Sequence, residues 1–531
     1  MELHGKNLIG GELSAEGQRS IVARNPATGK DLFPGFFEAT SSEVDRAVRL
    51  AADAALPFSQ CSPEKLAAFL IEIADQIQRL GDELLARASS ESGLGLDRLT
   101  GERARTLNQI RLFAEIVRSG SWLQPFIDRA LPDRKPLPRP DLRRTCIPIG
   151  PVVVFGASNF PLAFSVAGGD TVSALAAGNP VIVKGHPAHP GTSEMVATAI
   201  RKAVEASSLP DGVFSLVQGA SPRVSIDLVT HPDLRAVGFT GSERAGRALF
   251  DAAARRANPI PVYAEMGSVN PVFLLPSAVA DAERIARGVF GSFTLGVGQF
   301  CTKPGLVIGE SGAAFEGLRG RLAELVRDAP AGTMLYGGIR DAFRQRVGEA
   351  AEVDGVTEVM AAVPAVVETS DKAEARAHLL SVDAGTWLEN QELHEEIFGP
   401  ATVAVGCDSR AQMTAVANAL EGNLTATVHG TPEELEEYAD MIAILRGKVG
   451  RIIFNGYPTG VEVSYAMHHG GPYPATTDAK YTSVGATAIY RFVRPVCYQD
   501  FPDASLPDEL KNANPRGLWR VVDGRLTQEG W

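Results

Sequence analysis

The thiol of Cys301 is the side chain in this sequence best suited to covalent chemistry. Cys301 closes the segment Gly298-Gln299-Phe300-Cys301, just after a glycine-rich bend. Loops between rigid elements commonly carry catalytic groups, and a thiol becomes a strong nucleophile once it ionises. A buried, inert cysteine is nevertheless the commoner case, so Cys301 taken alone leaves both interpretations open.

Other polar positions follow segments with the pattern of buried strands. Glu265 ends one such segment and Asn159 follows another. Gly241 and Ser242 lie between a strand pattern and a helix start, where backbone N–H groups and the helix dipole would face an anion such as a pyrophosphate. The usual GxGxxG spacing is absent, so an ordinary strand-to-helix turn explains residues 239–246 equally well.

The cysteines and histidines indicate neither a disulfide framework nor a metal site. The five cysteines are Cys61, Cys146, Cys301, Cys407 and Cys497. They are scattered singly, without a CxxC pair or a histidine at zinc spacing. His186 and His189 flank Pro187, which would break the helix that a ligand pair needs. We therefore expect no bound metal.

Charge and hydropathy argue against nucleic-acid and membrane partners. The net charge is −12, and the most basic stretch, residues 134–144, is interrupted by prolines. Nucleic-acid binding requires clustered lysines and arginines. The N-terminus lacks a basic region followed by an apolar one, and no apolar run reaches the roughly 18 residues of a spanning helix. We expect a cytoplasmic protein.

The elements that position these residues are predicted to form two α/β domains. A chain of 531 residues, 45% hydrophobic and 21% charged, exceeds the size of one hydrophobic core. Helical spacing covers residues 41–58, 62–90 and about 100–117. Unbroken apolar runs, typical of buried parallel strands, then follow at residues 150–156, 180–184, 213–217 and 236–239, with a helix at 163–177 after the first run. Nucleotides bind at the carboxyl ends of such strands.

A second α/β set is predicted between Glu265 and Phe454. Its helices are expected near residues 281–293, 313–327, 341–352, 409–420 and 432–446. The proline-rich segment 132–148 suggests a connection or an extended strand at a sheet edge. Beyond residue 455 the chain is rich in Gly, Pro and Thr, which suggests a loop layer with an edge strand near residues 486–496.

Taken together, five segments in order along the chain resemble motifs of the aldehyde dehydrogenase superfamily, and the resemblance extends from about residue 20 to residue 500. The segments are Phe155-Gly156-Ala157-Ser158-Asn159-Phe160-Pro161, Phe239-Thr240-Gly241-Ser242, Glu265-Met266-Gly267, Gly298-Gln299-Phe300-Cys301 and Glu395-Glu396-Ile397-Phe398-Gly399-Pro400. The resemblance implies a Rossmann-like doubly wound domain (1–125 and 146–263), a catalytic α/β domain (264–455), a small β oligomerisation extension (126–145 and 482–500) and a C-terminal extension (501–531).

The resemblance also implies roles for single residues. Cys301 would attack the aldehyde, Asn159 with the N–H of Cys301 would hold the oxyanion, and Glu265 would activate the hydrolytic water. Cofactor contacts would come from Lys184 and Glu396 at the riboses, Gly241 and Ser242 at the pyrophosphate, and Phe398 beside the nicotinamide. A free thiol has a pKa near about 8.5, so nearby N–H donors and the nicotinamide cation are expected to favour its ionisation.

The substrate suggested by the resemblance is a semialdehyde. Residues 163–171, 184–193, 454–461, 469–474 and 494–499 are similar to α-ketoglutarate semialdehyde (2,5-dioxopentanoate) dehydrogenases and to NADP-dependent fatty aldehyde relatives, and we favour the former. Phe160 and Phe164 would line the tunnel. Arg111, on a helix that also carries Arg103 and Arg105, would meet the substrate carboxylate, although solvated helix-face arginines are the favoured interpretation of all three.

The expected cofactor is NADP+, with NAD+ also accepted. Many NAD-preferring relatives have a glutamate three residues after the ribose-binding lysine, where Pro187 stands here. Loss of that carboxylate would admit a 2′-phosphate, which Arg223 could pair with. A homodimer or homotetramer acting on a small-molecule aldehyde is expected. A long-chain aldehyde dehydrogenase and a thiol esterase on the same scaffold stay open as alternatives.

Overall fold

A computed structural model describes residues 1–360 and 371–531. The strands in the described residues are β1 Asn7–Ile9, β2 Glu12–Ser14, β3 Ser20–Arg24, β4 Asp31–Phe37, β5 Phe126–Asp128, β6 Leu142–Pro148, β7 Val152–Phe155, β8 Val181–Lys184, β9 Phe214–Val217, β10 Ala236–Thr240, β11 Val262–Glu265, β12 Val272–Leu274, β13 Leu306–Glu310, β14 Gly332–Thr333, β15 Thr357–Met360, β16 Glu374–Ala375, β17 His378–Asp383, β18 Ala401–Cys407, β19 Asn423–His429, β20 Val449–Phe454, β21 Val493–Gln499, β22 Arg520–Val522 and β23 Arg525–Thr527.

The α-helices of the same residues are α1 Ser41–Ser59, α2 Pro63–Arg79, α3 Gly81–Ser92, α4 Leu96–Ser119, α5 Gly169–Ala176, α6 Pro190–Ala206, α7 Pro222–Thr230, α8 Glu243–Ala254, α9 Pro276–Val279, α10 Ala282–Thr294, α11 Ala313–Arg327, α12 Gly337–Ala351, α13 Ala384–Glu389, α14 Arg410–Ala419, α15 Pro432–Glu437 and α16 Ala439–Arg446. None of these helices is both long and apolar enough to cross a membrane.

The first sheet has the order β11-β10-β7-β8-β9-β1-β2, and the strands from β11 to β9 are parallel. Strand side chains alternate between two cores: Val152 packs with α2, α4 and α6 on one face, whereas Val153 packs with α1, α7 and α8 on the other. Burial on both faces is why these strands read as unbroken apolar runs. The predicted doubly wound sheet is confirmed, and an antiparallel edge from β1 and β2 adds to it.

Two helix predictions for this region were wrong in detail. The segment 62–90 is two helices, because the chain bends at Gly81, which has a φ of +60°. The predicted helix 163–177 begins only at Gly169. Before it the chain doubles back so closely that a Cβ on Gly168 would lie 2.8 Å from the carbonyl oxygen of Ala163. The resulting loop carries Asn159 and Phe160.

The second sheet has the order β15-β17-β18-β13-β12-β19-β20, parallel except for β15. Its helices match the predicted ones closely, and α11 spans residues 313–327 as expected. The predicted helix 432–446 is divided at Tyr438 into α15 and α16. Hydrophobic clusters cover both faces of this sheet as well.

A third sheet, of order β21-β6-β5-β22-β23, combines two strands from residues 126–148 with three strands from the end of the chain. Strand β6 pairs with both β5 and β21, so the second half of segment 132–148 is an interior strand, neither a connection nor an edge. The predicted edge strand begins at Val493, because residues Ala486–Phe492 form a 3-10 turn. The predicted C-terminal extension, 501–531, supplies β22 and β23 to the same sheet.

Candidate active site

The loop that carries Cys301 is held by close backbone packing. Gly298 has a φ of +66°, which favours glycine, and a Cβ there would lie 2.1 Å from the carbonyl oxygen of Gly399. The side-chain amide of Asn270 donates to the carbonyl oxygens of Cys301 at 2.9 Å and Lys303 at 3.0 Å. Asn270 is fixed in turn, because the side-chain oxygen of Asn423 accepts its N–H. Backbone packing at Gly298 and the hydrogen bonds from Asn270 therefore fix the position of the thiol.

Three reactive side chains meet at this thiol. The Nε2 atom of His469 lies 3.4 Å from Cys301 Sγ and 3.0 Å from Glu265 Oε1. The Ser483 hydroxyl donates to the other carboxylate oxygen of Glu265. The side chains of Glu265 and His469 are each 1% exposed. A carboxylate only accepts hydrogen bonds, so Nε2 carries the proton in this arrangement and can share it with the sulfur.

The same three residues could in principle hold a cation, since their donor atoms lie within 4.8 Å of one another. Cysteine, histidine and glutamate are zinc-binding types. No regular ligand spacing leads to this group, because His469 is 168 residues from Cys301. We expected no bound metal because the sequence lacks any regular spacing of metal ligands, and such spacing does not reveal a group assembled from distant residues.

The electrostatics of the cluster favour a protonated thiol and an ionised carboxylate. Burial, followed by the charge and hydrogen bonding of Glu265, raises the pKa of Cys301 well above its usual value, and Arg105 opposes this rise. Burial also acts to raise the pKa of Glu265, but His469, Ser483 and Arg491 together bring that pKa below its ordinary value. Burial and Glu265 therefore oppose the ionisation of Cys301 in the protein alone, and the expected help from the nicotinamide cation stays a prediction.

Asn159 lies beside the nucleophile loop. Its side-chain amide donates to the carbonyl oxygen of Gln299 at 3.0 Å, two residues before Cys301. In the part of the chain that the structure describes, the backbone N–H of Cys301 donates to no acceptor. The buried carboxylate of Glu102 on α4 accepts the N–H groups of Leu162 and Ala163, which holds the Asn159 loop against that helix. The two predicted oxyanion donors, the Asn159 amide and the N–H of Cys301, thus lie on adjoining loops, and one N–H of the amide is already bound to Gln299.

An aromatic wall adjoins the thiol. The ring of Phe160 lies 5.2 Å from the rings of both Phe164 and Phe300, and the contacts are edge-to-face. Phe300 directly precedes Cys301, so this wall borders the approach to the sulfur. Arg111, the predicted partner of a substrate carboxylate, is exposed on α4.

The predicted cofactor residues lie at the carboxyl ends of the parallel strands. Lys184 ends β8, and Gly241 and Ser242 follow β10 at an exposed edge. The Ser242 hydroxyl caps α8 by accepting the N–H of Ala245. Burial lowers the pKa of Lys184 to about 8, while the charge of Glu38 acts in the opposite direction. An exposed helix start beside a buried ammonium group fits a dinucleotide.

Arg223 is already engaged near this crevice. Its guanidinium lies 3.0 Å from Asp227 and 3.6 Å from Glu38. The carboxylate of Glu38, 5% exposed, accepts the N–H groups of Ala220 and Ser221. Pro187 lies in the turn between β8 and α6. The sequence therefore missed a buried carboxylate, Glu38, close to Lys184.

Glu396 and Phe398 belong to a loop that faces the nucleophile loop. Burial raises the pKa of Glu396, whereas the ammonium group of Lys303 lowers it. The same ammonium group donates to the carbonyl oxygens of Ile397 at 2.9 Å and Ala401 at 3.0 Å. Lys303, two residues after Cys301, thus connects the nucleophile loop to the loop of Glu396 and Phe398 through hydrogen bonds.

Sequence reasoning missed several residues that shape the site, namely His469, Ser483, Asn270, Glu102, Glu38 and Lys303. Lys303 could have been noticed, since it lies two residues from the candidate nucleophile. His469 begins segment 469–474, which carries part of the resemblance, but that segment gave it no role. The remaining residues are distant in sequence from the residues they contact, so no local pattern marks them.

The arrangement as a whole is that of a thiol enzyme built beside a nucleotide-binding sheet. The sequence profile described as "Aldehyde dehydrogenase family" matches residues 13–480, and the chain belongs to this family. Alpha-ketoglutaric semialdehyde dehydrogenase 2 of Azospirillum brasilense is 49% identical over 527 residues, which cover 99% of this chain and 100% of the relative. Alpha-ketoglutaric semialdehyde dehydrogenase of Acinetobacter baylyi is 44% identical, with 99% of each chain covered.

Solved structures share the fold at lower identity. A lactaldehyde dehydrogenase superimposes with a TM-score of 0.80 at 21% identity and covers 93% of this chain and 98% of its own. The NAD+ complex of an aldehyde dehydrogenase from Bacillus cereus gives 0.79 at 21% identity, with 94% and 96% covered. These likenesses confirm the predicted fold class.

Proposed function

We propose that this protein oxidises α-ketoglutarate semialdehyde to α-ketoglutarate with a nicotinamide cofactor, through a thioester on Cys301. The observation that carries the reaction type is the buried contact of Cys301 with His469, which also contacts Glu265, at the carboxyl edge of the sheet. The relatives at 49% and 44% identity bear the name of this substrate, and their similarity extends over nearly the whole chain.

In the first half of the proposed reaction, Cys301 Sγ attacks the aldehyde carbon. The thiol proton passes to the Glu265 carboxylate, because Nε2 of His469 already carries the proton that it donates to that carboxylate. The substrate oxygen, now negative, is held by the Asn159 amide and the N–H of Cys301. The product of this step is a thiohemiacetal on Cys301.

In the second half, the thiohemiacetal loses a hydride and becomes a thioester. The bound nicotinamide supplies the hydride acceptor. Glu265 releases the thiol proton to solvent and, ionised again, removes a proton from water as that water attacks the thioester carbon. The carboxylic acid is released, and Cys301 regains its proton. Ser483 orients the Glu265 carboxylate throughout, since it holds the second oxygen.

The residues proposed to hold the cofactor are those at the strand ends. Lys184 and Glu396 would bind the riboses, Gly241 and Ser242 the pyrophosphate, and Phe398 would lie beside the nicotinamide. We favour NADP+ with NAD+ also accepted, since Pro187 brings no carboxylate to the ribose. Arg223 would have to leave Asp227 to pair with a 2′-phosphate.

Strand β21, at the edge of the third sheet, is proposed to form the contact of a homodimer or homotetramer.

Initial rates decide between the candidate substrates. The purified enzyme would be assayed for reduced nicotinamide with α-ketoglutarate semialdehyde, succinate semialdehyde, glutaraldehyde and a long-chain aldehyde, each with NADP+ and NAD+. The first should give the highest kcat/KM, and Cys301→Ala should abolish turnover. A tenfold preference for the long-chain aldehyde would contradict the proposed substrate. Turnover of an activated ester alone, without nucleotide-dependent oxidation, would instead support an esterase.

A further inference from the structure

Two arginines of α4 face the aromatic wall, and the first is fully occupied. The guanidinium of Arg98 lies 4.7 Å from the centre of the Phe160 ring and 4.6 Å from that of Phe300. It donates to the carbonyl oxygen of Asn159 at 2.9 Å and lies 3.8 Å from the carboxylate of Glu102. Arg98 therefore braces the wall and has little capacity left for a ligand.

Arg105 lies seven residues further along α4, on the same face of the helix. Its guanidinium lies 5.4 Å from the centre of the Phe164 ring. Its Nε and Nη2 atoms are buried, yet neither has a hydrogen-bond partner among the residues that the structure describes. A buried guanidinium without such partners is costly, and an anion at this edge would remove that cost.

Arg105 packs against the aromatic wall that leads to the Cys301 loop. Burial lowers the pKa of Arg105, and the largest opposing influence on that pKa is the Cys301 thiol, followed by the carboxyl groups of Glu102, Glu462 and Glu265. Glu102 is already bound to the backbone of the Asn159 loop, and Glu462 is exposed. The free edge of Arg105 thus shares its surroundings with the sulfur, and Glu102 does not hydrogen-bond to it.

A second buried arginine near the thiol is committed to the protein. Arg451 of β20 also feels the charge of Cys301. Its Nη2 atom, however, donates to the carbonyl oxygens of Pro458 at 2.8 Å and Gly460 at 3.2 Å. Nε of Arg451 is buried without a partner, but its Nη2 is satisfied, whereas both Nε and Nη2 of Arg105 lack a partner among the residues that the structure describes.

We propose that Arg105 binds the carboxylate of the substrate through its Nε and Nη2 edge and thereby selects oxo acids over uncharged aldehydes. This inference rests on the proposed function and deepens it. Nε–H and Nη2–H lie side by side on a guanidinium, which matches the two oxygens of a carboxylate. The Phe164 ring below the guanidinium would fix its plane.

The test compares two substrates of equal carbon number, α-ketoglutarate semialdehyde and pentanal, in three variants. In Arg105→Met, kcat/KM for the semialdehyde should fall about 100-fold, mainly through KM, because two charge-assisted hydrogen bonds are lost. For pentanal the change should stay within about twofold. Arg105→Lys should recover part of the loss. Arg118→Met, an exposed arginine on the same helix, is the matched control and should leave both values unchanged.

Inhibition of the wild-type enzyme by glutarate gives a second readout that needs no variant. Glutarate should compete with the semialdehyde, and pentanamide should not. An equal loss for both substrates in Arg105→Met, or no competition by glutarate, would overturn the role of Arg105. A wild-type enzyme that oxidises pentanal as well as the semialdehyde would also overturn it, yet leave aldehyde oxidation intact. Absence of any aldehyde oxidation would refute the proposed function itself.

Discussion

Opposing influences act on the pKa of the nucleophile, Cys301. Burial and Glu265 raise the pKa of Cys301, whereas Arg105 lowers it, and the first two prevail. Thiolate is therefore scarce in the free enzyme at neutral pH. His469 is the neighbour that can donate a hydrogen bond to the sulfur. Ionisation would thus follow substrate or cofactor binding instead of preceding it.

Alkylation kinetics test this balance. The rate at which iodoacetamide labels Cys301 in the cofactor-free enzyme should keep rising with pH beyond pH 9. In Glu265→Gln the neighbouring negative charge is gone, so the pKa falls. A fall of one unit would make labelling about tenfold faster at pH 8. Mass spectrometry of the Cys301 peptide measures the rate, and a plateau near neutral pH in the wild type would contradict the expectation.

His469 provides a second prediction at the scale of one side chain. His469→Gln should lower kcat about 100-fold, because the imidazole that holds the Glu265 carboxylate beside the sulfur is lost. Cofactor affinity should not change, since His469 contacts the thiol and Glu265 and lies at none of the proposed cofactor positions. His468→Gln, at the half-buried neighbour, is the control and should stay within about twofold. The pH profile of kcat should change in the first variant alone; an unchanged profile there would contradict this role of His469.

At the scale of elements, the site depends on two loops that touch through backbone atoms. The bend before Cys301 and the loop after Glu396 approach so closely that a methyl group does not fit between Gly298 and Gly399. Lys303 joins the same two loops through hydrogen bonds to carbonyl oxygens. The loop that carries Cys301 and the loop after Glu396 are therefore expected to move together.

Gly298→Ala should disrupt the packing between these two loops. The added Cβ would meet the oxygen of Gly399 at 2.1 Å, and the positive φ adds strain, so both loops must shift. A displacement of about 1 Å at the reacting atoms can lower kcat/KM about 100-fold. Gly291→Ala, in α10 with no atom within 4 Å, is the control. It should keep full activity and gain about 0.5–1 kcal/mol of helix stability.

At the scale of the whole molecule, the third sheet makes the C-terminus part of the fold. Strand β22 pairs with β5, which directly follows the α4 region. A small core of Ile127, Leu506, Leu510 and Val522 fills the space behind this sheet. Residues 501–531, predicted as a C-terminal extension, are thus part of this sheet and its core.

Unfolding measurements test that integration. Leu510 is fully buried, so Leu510→Ala leaves a cavity and should lower the free energy of unfolding by about 2–4 kcal/mol. Leu526→Ala removes a side chain that is 66% exposed and should change it little. Urea transitions of both variants give the comparison. Equal midpoints would mean that the C-terminal strands fray independently.

The sequence by itself determined the two α/β domains and the order of the motifs around Cys301. Buried parallel strands need unbroken apolar runs, and their carboxyl ends share one edge, so Lys184, Gly241 and Glu265 were predictable as neighbours. Helix positions followed from local periodicity. Short-range interactions fix these features, and a single chain displays them directly.

Only the tertiary structure decided which distant side chains complete the site. His469 reaches Cys301 across 168 residues, and Arg105, which we propose in place of Arg111 as the carboxylate's partner, packs on the aromatic wall near the Cys301 loop. The ionisation of Cys301 was likewise set by burial and by charges on other elements. These outcomes depend on how loops and helices pack in three dimensions, because contact and desolvation are properties of the folded chain and not of its local pattern.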